Sequence, residues 1–254
     1  MKYIAIGPGG MAFFTLLGKL ASLETKEIKE ISGSSAGALL ASLWVACKGD
    51  TGTLMTDCLD VDIQSATRYD IKCLLRRYGL IPISNVYDLM EVLFEKYTGM
   101  KSPTFAELYE WNPVKLHISS LCIEKGDVVY FNVDSHPNMF VIDALAGSIS
   151  IPLLFEPLKY EGRTYIDAAA VEQCPALPFV DKHRDDVLAI MIKGSALTET
   201  NSLFAYVYNI ANCVMHHRYT YDVPKVFIDV EDVNCLNFNM SFDEKIDLYM
   251  RGNS

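Results

Sequence analysis

Residues 33–37 read Gly33-Ser34-Ser35-Ala36-Gly37 and fit the pattern G-x-S-x-G. In a sharp strand-to-helix turn, that pattern lifts a serine hydroxyl into reach of a carbonyl, so the chemistry on offer is nucleophilic attack on an acyl group. Spacing selects the serine. Ser35 has Gly33 and Gly37 two places away on either side, whereas Ser34 has Ser32 and Ala36 there. Small neighbours matter because such a turn is strained and the substrate must come close to the backbone. A chance match arises in about one chain in ten of this size, so the weight falls on the flanks. Residues 27–32 read as a short strand, and residues 36–47 as an almost unbroken apolar helix.

A serine nucleophile needs a base and a group of donors for the oxyanion. Histidine is the usual base, and the chain has His117, His136, His183, His216 and His217. In the usual α/β-hydrolase order the acid and the histidine follow an elbow set deep in the sheet, with the histidine on a loop after a strand. Here the elbow follows the second strand, and His216 and His217 fall within helical spacing. His117 reads as a strand position beside core residues. An aspartate close to the serine can serve instead, and Asp167 in Tyr165-Ile166-Asp167-Ala168-Ala169-Ala170 is the best candidate. It follows an apolar strand end, and the alanines leave room for close approach. Donors are expected from Gly7-Pro8-Gly9-Gly10, a glycine turn ahead of a helix. Pro8 has no N–H, which leaves Gly9 and Gly10, with the N–H of Ala36 after the nucleophile as a third. A nucleotide-phosphate loop is disfavoured. There is no G-x-G-x-x-G, no Gly-Lys-Ser/Thr ending, and no acidic residue at the end of the second strand.

These residues must be held by elements legible in the pattern. Residues 2–6 form an apolar strand ending in the glycine turn, and residues 11–23 have helical spacing. Two βα units in the first 47 residues point to a parallel sheet. Residues 64–78 read as one helix carrying Arg68, Lys72, Arg76 and Arg77. Residues 84–97 read as an amphipathic helix with Ser84 as its cap and Gly99 after its end. Thr104 and Glu107 form a capping box, and so do Ser241 and Glu244 ahead of a helix over 241–250. Hairpins are expected over 114–132, around Lys125-Gly126-Asp127, and over 158–166, around Glu161-Gly162. Residues 139–147 and 202–219 read as helices, 186–192 and 225–230 as strands. With no repeat, low-complexity tract or linker, residues 1–254 read as one α/β domain.

Half of the 254 residues are apolar, enough for a sizeable core. No stretch reaches the ~18 apolar residues of a membrane span. The glycine turn at 7–10 interrupts what would be the apolar core of a signal peptide, and the expectation is a cytoplasmic protein. The seven cysteines contain no C-x-x-C pair and their number is odd, which fits reduced, buried thiols. A net charge of −10 argues against nucleic acid and against general adhesion to anionic lipid, so membrane contact must be apolar or local.

Order and spacing together resemble the patatin-like phospholipases. Gly7-Pro8-Gly9-Gly10-Met11 is similar to that family's oxyanion loop, Gly33 to Gly37 to its elbow, and Thr104-Phe105-Ala106-Glu107-Leu108-Tyr109 to a common middle segment. Ser148-Ile149-Ser150-Ile151-Pro152-Leu153-Leu154-Phe155-Glu156-Pro157 resembles the stretch ahead of the family's catalytic aspartate, and the segment from Asp167 to Pro175 resembles its D-G-[GA] motif. The resemblance implies a three-layer α/β/α fold with a mostly parallel central sheet and a Ser35–Asp167 dyad without histidine. It also implies phospholipase A-type cleavage of fatty-acyl esters, with a phospholipid or other acyl lipid as substrate, transient contact with a membrane surface, and no metal or cofactor. Two departures stand out. Ala12 and Phe13 replace a basic residue and a glycine, and Ala168 replaces the glycine of D-G-[GA], so its turn must avoid positive φ or bear strain. They motivate an alternative, an inactive lipid- or partner-binding module. Acyl transfer through the same dyad is a third reading.

Overall fold

The computed structural model describes residues 1–194, Tyr206 and residues 219–254. The strands are β1 (Tyr3–Ile6), β2 (Glu30–Gly33), β3 (Gly79–Ile81), β4 (Lys115–Cys122), β5 (Asp127–Phe131), β6 (Leu153–Phe155), β7 (Leu158–Tyr160), β8 (Arg163–Ile166), β9 (Val187–Lys193) and β10 (Lys225–Asp229). The α-helices among the described residues are α1 (Phe13–Ala21), α2 (Ala36–Ala46), α3 (Thr51–Asp60), α4 (Ile63–Ala66), α5 (Ile71–Arg77), α6 (Ile83–Thr98), α7 (Phe105–Trp111), α8 (Val141–Ile149) and α9 (Phe242–Asn253). None is long and apolar enough to cross a membrane.

The main sheet runs β10-β9-β1-β2-β4-β8-β7, with β5 on the other edge of β4. The five strands from β10 to β4 are parallel, and β5, β7 and β8 join antiparallel. The mostly parallel α/β sheet is thus as expected. Alternation along β1 divides the core. Ile4 and Ile6 pack into the large cluster with α1, α2, α6 and α8, while Tyr3 and Ala5 join Phe179, Val187, Ala189 and Met191 on the opposite face. α2 is apolar all round and buried along almost its whole length, as a helix needs to be when it lies between a sheet and other helices.

β4 explains how distant residues meet. Its first half, Lys115 to Ile118, pairs with β2, and its end, Leu121 and Cys122, pairs with β8. β5 occupies the opposite edge from Ile118 onward, so β2 and β8 share one edge of β4. β2 stops at Gly33 and β8 enters the vacated edge from the other direction. The chain leaving β8 at Ile166 therefore arrives where the chain leaves β2.

Several boundaries differ from the expectation. The single helix over 64–78 is two, because aspartates cap each piece separately. Asp62 accepts the Ser65 N–H, and Asp70 accepts the Lys72 N–H. Ser84 is not a cap. Pro82 holds the N-cap position of α6 in an extended conformation, φ −60° and ψ 138°, and Ser84 lies in the first turn. Gly99 ends α6 as expected, in the left-handed region. α3, β3 and β6 were not anticipated. Both capping boxes and both hairpins are present. Apart from Tyr206 and Tyr219, the helix expected over 202–219, with His216 and His217, lies outside the described residues.

Candidate active site

Three turns converge at the C-terminal ends of the parallel strands, where open α/β sheets place ligands. The first is the elbow. Ser35 has φ 53° and ψ −125°, a conformation that a non-glycine residue adopts only under strain. Its neighbours must be glycine because the approach is close. A Cβ on Gly33 would collide with the Gly37 carbonyl, and a Cβ on Gly37 would collide with the Ile6 carbonyl at the end of β1. The Ser35 N–H donates to the Ser148 Oγ of α8 at 2.9 Å, which fixes the elbow from behind.

The second turn carries Asp167. Its N–H donates to the Ser150 carbonyl at 3.0 Å, and its Oδ1 accepts the Ala169 N–H at 2.9 Å. Asp167 is 5% exposed and Ser35 6%. Burial pushes the Asp167 carboxyl up to about 6 from 3.8, while hydrogen bonding from the Ser35 hydroxyl and the Ala169 N–H pulls it back. A carboxylate poised near neutrality beside a serine hydroxyl can take its proton. Ala168–Ala170 forms a 3₁₀ turn in which no residue has positive φ, so the alanine that replaces the family glycine sits without strain.

The third turn is Gly7 to Ala12. Gly10 has φ 50°, and a Cβ there would meet the Cys235 carbonyl. That same carbonyl accepts the Met11 N–H at 2.8 Å, while the Ala12 N–H closes on Gly9. Among the described residues, the N–H groups of Gly9, Gly10 and Ala36 donate to no protein acceptor. Gly10, Ser35 and Ala36 border one cavity of about 160 Å³, whereas Gly9 and Asp167 do not line it. Its wall is otherwise almost wholly apolar, built by Phe13, Leu39 and Leu43, by Val86, Leu89, Met90 and Leu93 of α6, and by Phe155, Leu236 and Phe238. Phe13, in place of the family glycine, is part of that wall.

No imidazole among the described residues bonds either member of the pair. His117 Nε2 lies 2.9 Å from Glu30, at the start of β2 and so away from the elbow. This contact, with Lys182, holds the Glu30 carboxyl down at about 2. His136 contacts Ser135, and His183 is exposed. Ser148 and Ser150 lie in the family-like stretch ahead of Asp167, but their contacts, to the Ser35 N–H and the Asp167 N–H, were not anticipated from the Ser-x-Ser spacing. Nor did residue types point to the Cys235 to Phe238 segment, which carries no motif, or to Glu172. That fully buried carboxylate accepts the Tyr130 and Tyr221 hydroxyls, each at 2.7 Å, and burial pushes it up to about 7.

A model of the patatin-like phospholipase family matches residues 4–180, more than half of the chain. The chain belongs to the patatin-like phospholipase family. Membership carries lipid hydrolase chemistry in the broad sense. The chain is 22% identical over 275 residues to "Uncharacterized protein R571" of Acanthamoeba polyphaga mimivirus, with 99% of this chain and 91% of that protein covered. It is 26% identical over 187 residues to "Probable lipid hydrolase 463L" of Invertebrate iridescent virus 6, with 68% of this chain and 61% of that protein covered. Among solved structures, VipD from Legionella pneumophila shares the fold with a TM-score of 0.63 at 13% identity, covering 99% of this chain and 65% of VipD. The chain thus spans less than two thirds of the iridescent virus protein and of VipD.

Proposed function

We propose that this member of the family is a serine acyl hydrolase, phospholipase A-type, which cleaves fatty-acyl esters of phospholipids or related lipids through a Ser35–Asp167 dyad. The observation that carries the reading is a strained serine that lines an apolar cavity and lies beside a buried carboxylate. Asp167 accepts the Ser35 proton as Oγ attacks the acyl carbonyl. The developing oxyanion is held by the N–H groups of Gly10 and Ala36, with Gly9 in support; losing one such donor costs about 10²–10³ in rate. Collapse of the tetrahedral species breaks the ester C–O bond, and Asp167 returns the proton to the departing alcohol. Water, deprotonated by Asp167, then hydrolyses the acyl-enzyme. Ala36, Leu39 and Leu43 lie at i, i+3 and i+7 of α2, so the apolar wall follows that helix for about 10 Å from the serine. That shape suits an acyl chain.

A fluorophosphonate probe is expected to add its phosphonyl mass to the peptide containing Ser35. Ser35→Ala is expected to abolish both labelling and release of fatty acid from phospholipid. Fatty-acid release at the wild-type rate by Ser35→Ala refutes the assignment. Lipid binding by an unlabelled, inactive wild-type chain would favour the binding-module reading.

A further inference from the structure

We propose that α5 and the residues flanking it form the surface by which this protein docks on an anionic lipid bilayer. The inference rests on the acyl-lipid reading of the cavity and adds where and how the chain meets its substrate phase. Tyr69, Ile71, Leu75 and Tyr78 crowd four large exposed apolar side chains into ten residues, and Leu75, at 77%, is the most exposed large apolar residue among those described. Exposed apolar clusters of this kind mark interaction surfaces rather than ordinary solvated faces. Ile71 and Leu75 are one helical turn apart and share a face, while Cys73, buried at 2%, ties the helix down on its inner side.

The charge around this patch runs against the rest of the protein. The chain carries −10 overall, yet Arg68, Lys72 and Arg76 are all exposed here and make no ion pair among the described residues. The acidic group within the segment, Asp70, is occupied in capping α5. Basic side chains interleaved with apolar and aromatic ones match an anionic headgroup layer over an acyl interior. This is the local, apolar contact that the net charge of the whole molecule still permits.

Position links the patch to the cavity. Ile63, Ala66 and Thr67 line it, and the exposed series begins at the next residue. On the far side of α5, β3 pairs with β6, whose Phe155 also lines it. Glu156 holds the pieces together. It pairs with Arg77 at 3.1 Å and accepts the Ile83 N–H of α6 at 3.2 Å. A bilayer resting on α5 therefore lies against the rim of the apolar cavity.

The test uses the full chain carrying Ser35→Ala, so that binding is read without hydrolysis. Sedimentation with vesicles of pure phosphatidylcholine is compared with sedimentation with equimolar phosphatidylcholine and phosphatidylserine. Stronger binding to the mixed vesicles is expected. Each neutralised basic residue accounts for about fivefold in affinity at low salt, so Lys72→Gln with Arg76→Gln is expected to weaken it about twentyfold or more. Ile71→Ser with Leu75→Ser is expected to weaken binding to both vesicle types. All four changes are on exposed side chains, and an unchanged thermal midpoint verifies the fold. In the chain with Ser35 intact, the same changes leave turnover of a water-soluble short-chain ester unaltered. Equal binding by the variants and the parent, absence of any vesicle binding, or a patch buried in a dimer of this chain overturns the proposal. If Ser35→Ala keeps wild-type ester turnover, the catalytic reading fails while the vesicle result stands by itself.

Discussion

Asp167→Asn is expected to stabilise the protein while ending turnover. The carboxyl is buried and titrates at about 6 rather than 3.8. A raised folded-state pKa means that the neutral form is favoured in the native protein. The stability contributed by Asp167 is thus fully present below 3.8 and is lost as pH rises through about 6. Well above that value the ionised group costs about 3 kcal/mol relative to its unfolded reference. Asparagine has almost the same shape, carries no charge, and keeps an oxygen for the Ala169 N–H. It cannot act as a base, and it forfeits about 1 kcal/mol of hydrogen bonding from Ser35. The net expectation is a gain of about 2 kcal/mol in alkaline buffer, or about 5 °C in melting temperature. Urea unfolding of both proteins in alkaline buffer and below 3.8 reads the difference, which should fall by about 3 kcal/mol toward the acid end, where the lost hydrogen bond leaves the variant about 1 kcal/mol less stable than wild type. A variant less stable than wild type in alkali, or a difference independent of pH, refutes the claim that a buried charge resides at this position.

Further outcomes follow from the same contacts. Ser148→Ala removes the acceptor of the Ser35 N–H, leaving a buried donor unpaired; a loss of about 1–3 kcal/mol and a fall in kcat at unchanged KM are expected, measured by urea unfolding and ester kinetics. Gly37→Ala forces a Cβ into the Ile6 carbonyl, and the unfolding free energy is expected to drop by about 3 kcal/mol or more, measured by urea unfolding. Asp167 and Glu172 titrate at about 6 and about 7, both raised by burial. The melting temperature of wild type is therefore expected to rise as pH is lowered through 7 and then 6, and a fall over that range contradicts the assignment. Leu43→Phe narrows the cavity about 10 Å along α2 from Ser35, and kcat/KM is expected to fall for long acyl chains more than for short ones.

The elbow was legible because its requirements are local. A strand, a small-residue turn and an apolar helix lie within twenty residues, and the two glycines are needed where a Cβ would strike the backbone. Asp167 was visible only as a candidate, since its contact with Ser35 depends on β2 and β8 sharing an edge of β4, a pairing that no local pattern encodes. The resemblance supplied what spacing alone did not. Residues 64–78 misled because the apolar spacing continues across Thr67 to Asp70, while the caps at Asp62 and Asp70 break the helix. The carbonyl of Cys235 on the glycine turn was invisible for a different reason: it demands glycine at position 10, but as a backbone acceptor it places no requirement on the type of residue 235, so its source could not be read.

The rate at which a fluorophosphonate labels Ser35, followed by mass across pH, tests the central assignment most directly. If a buried carboxylate activates the serine with no imidazole between them, the rate rises once, with a midpoint near 6, and Asp167→Asn removes the reaction. Labelling of Ser35 that persists in Asp167→Asn, or that depends on His216 or His217, contradicts the account.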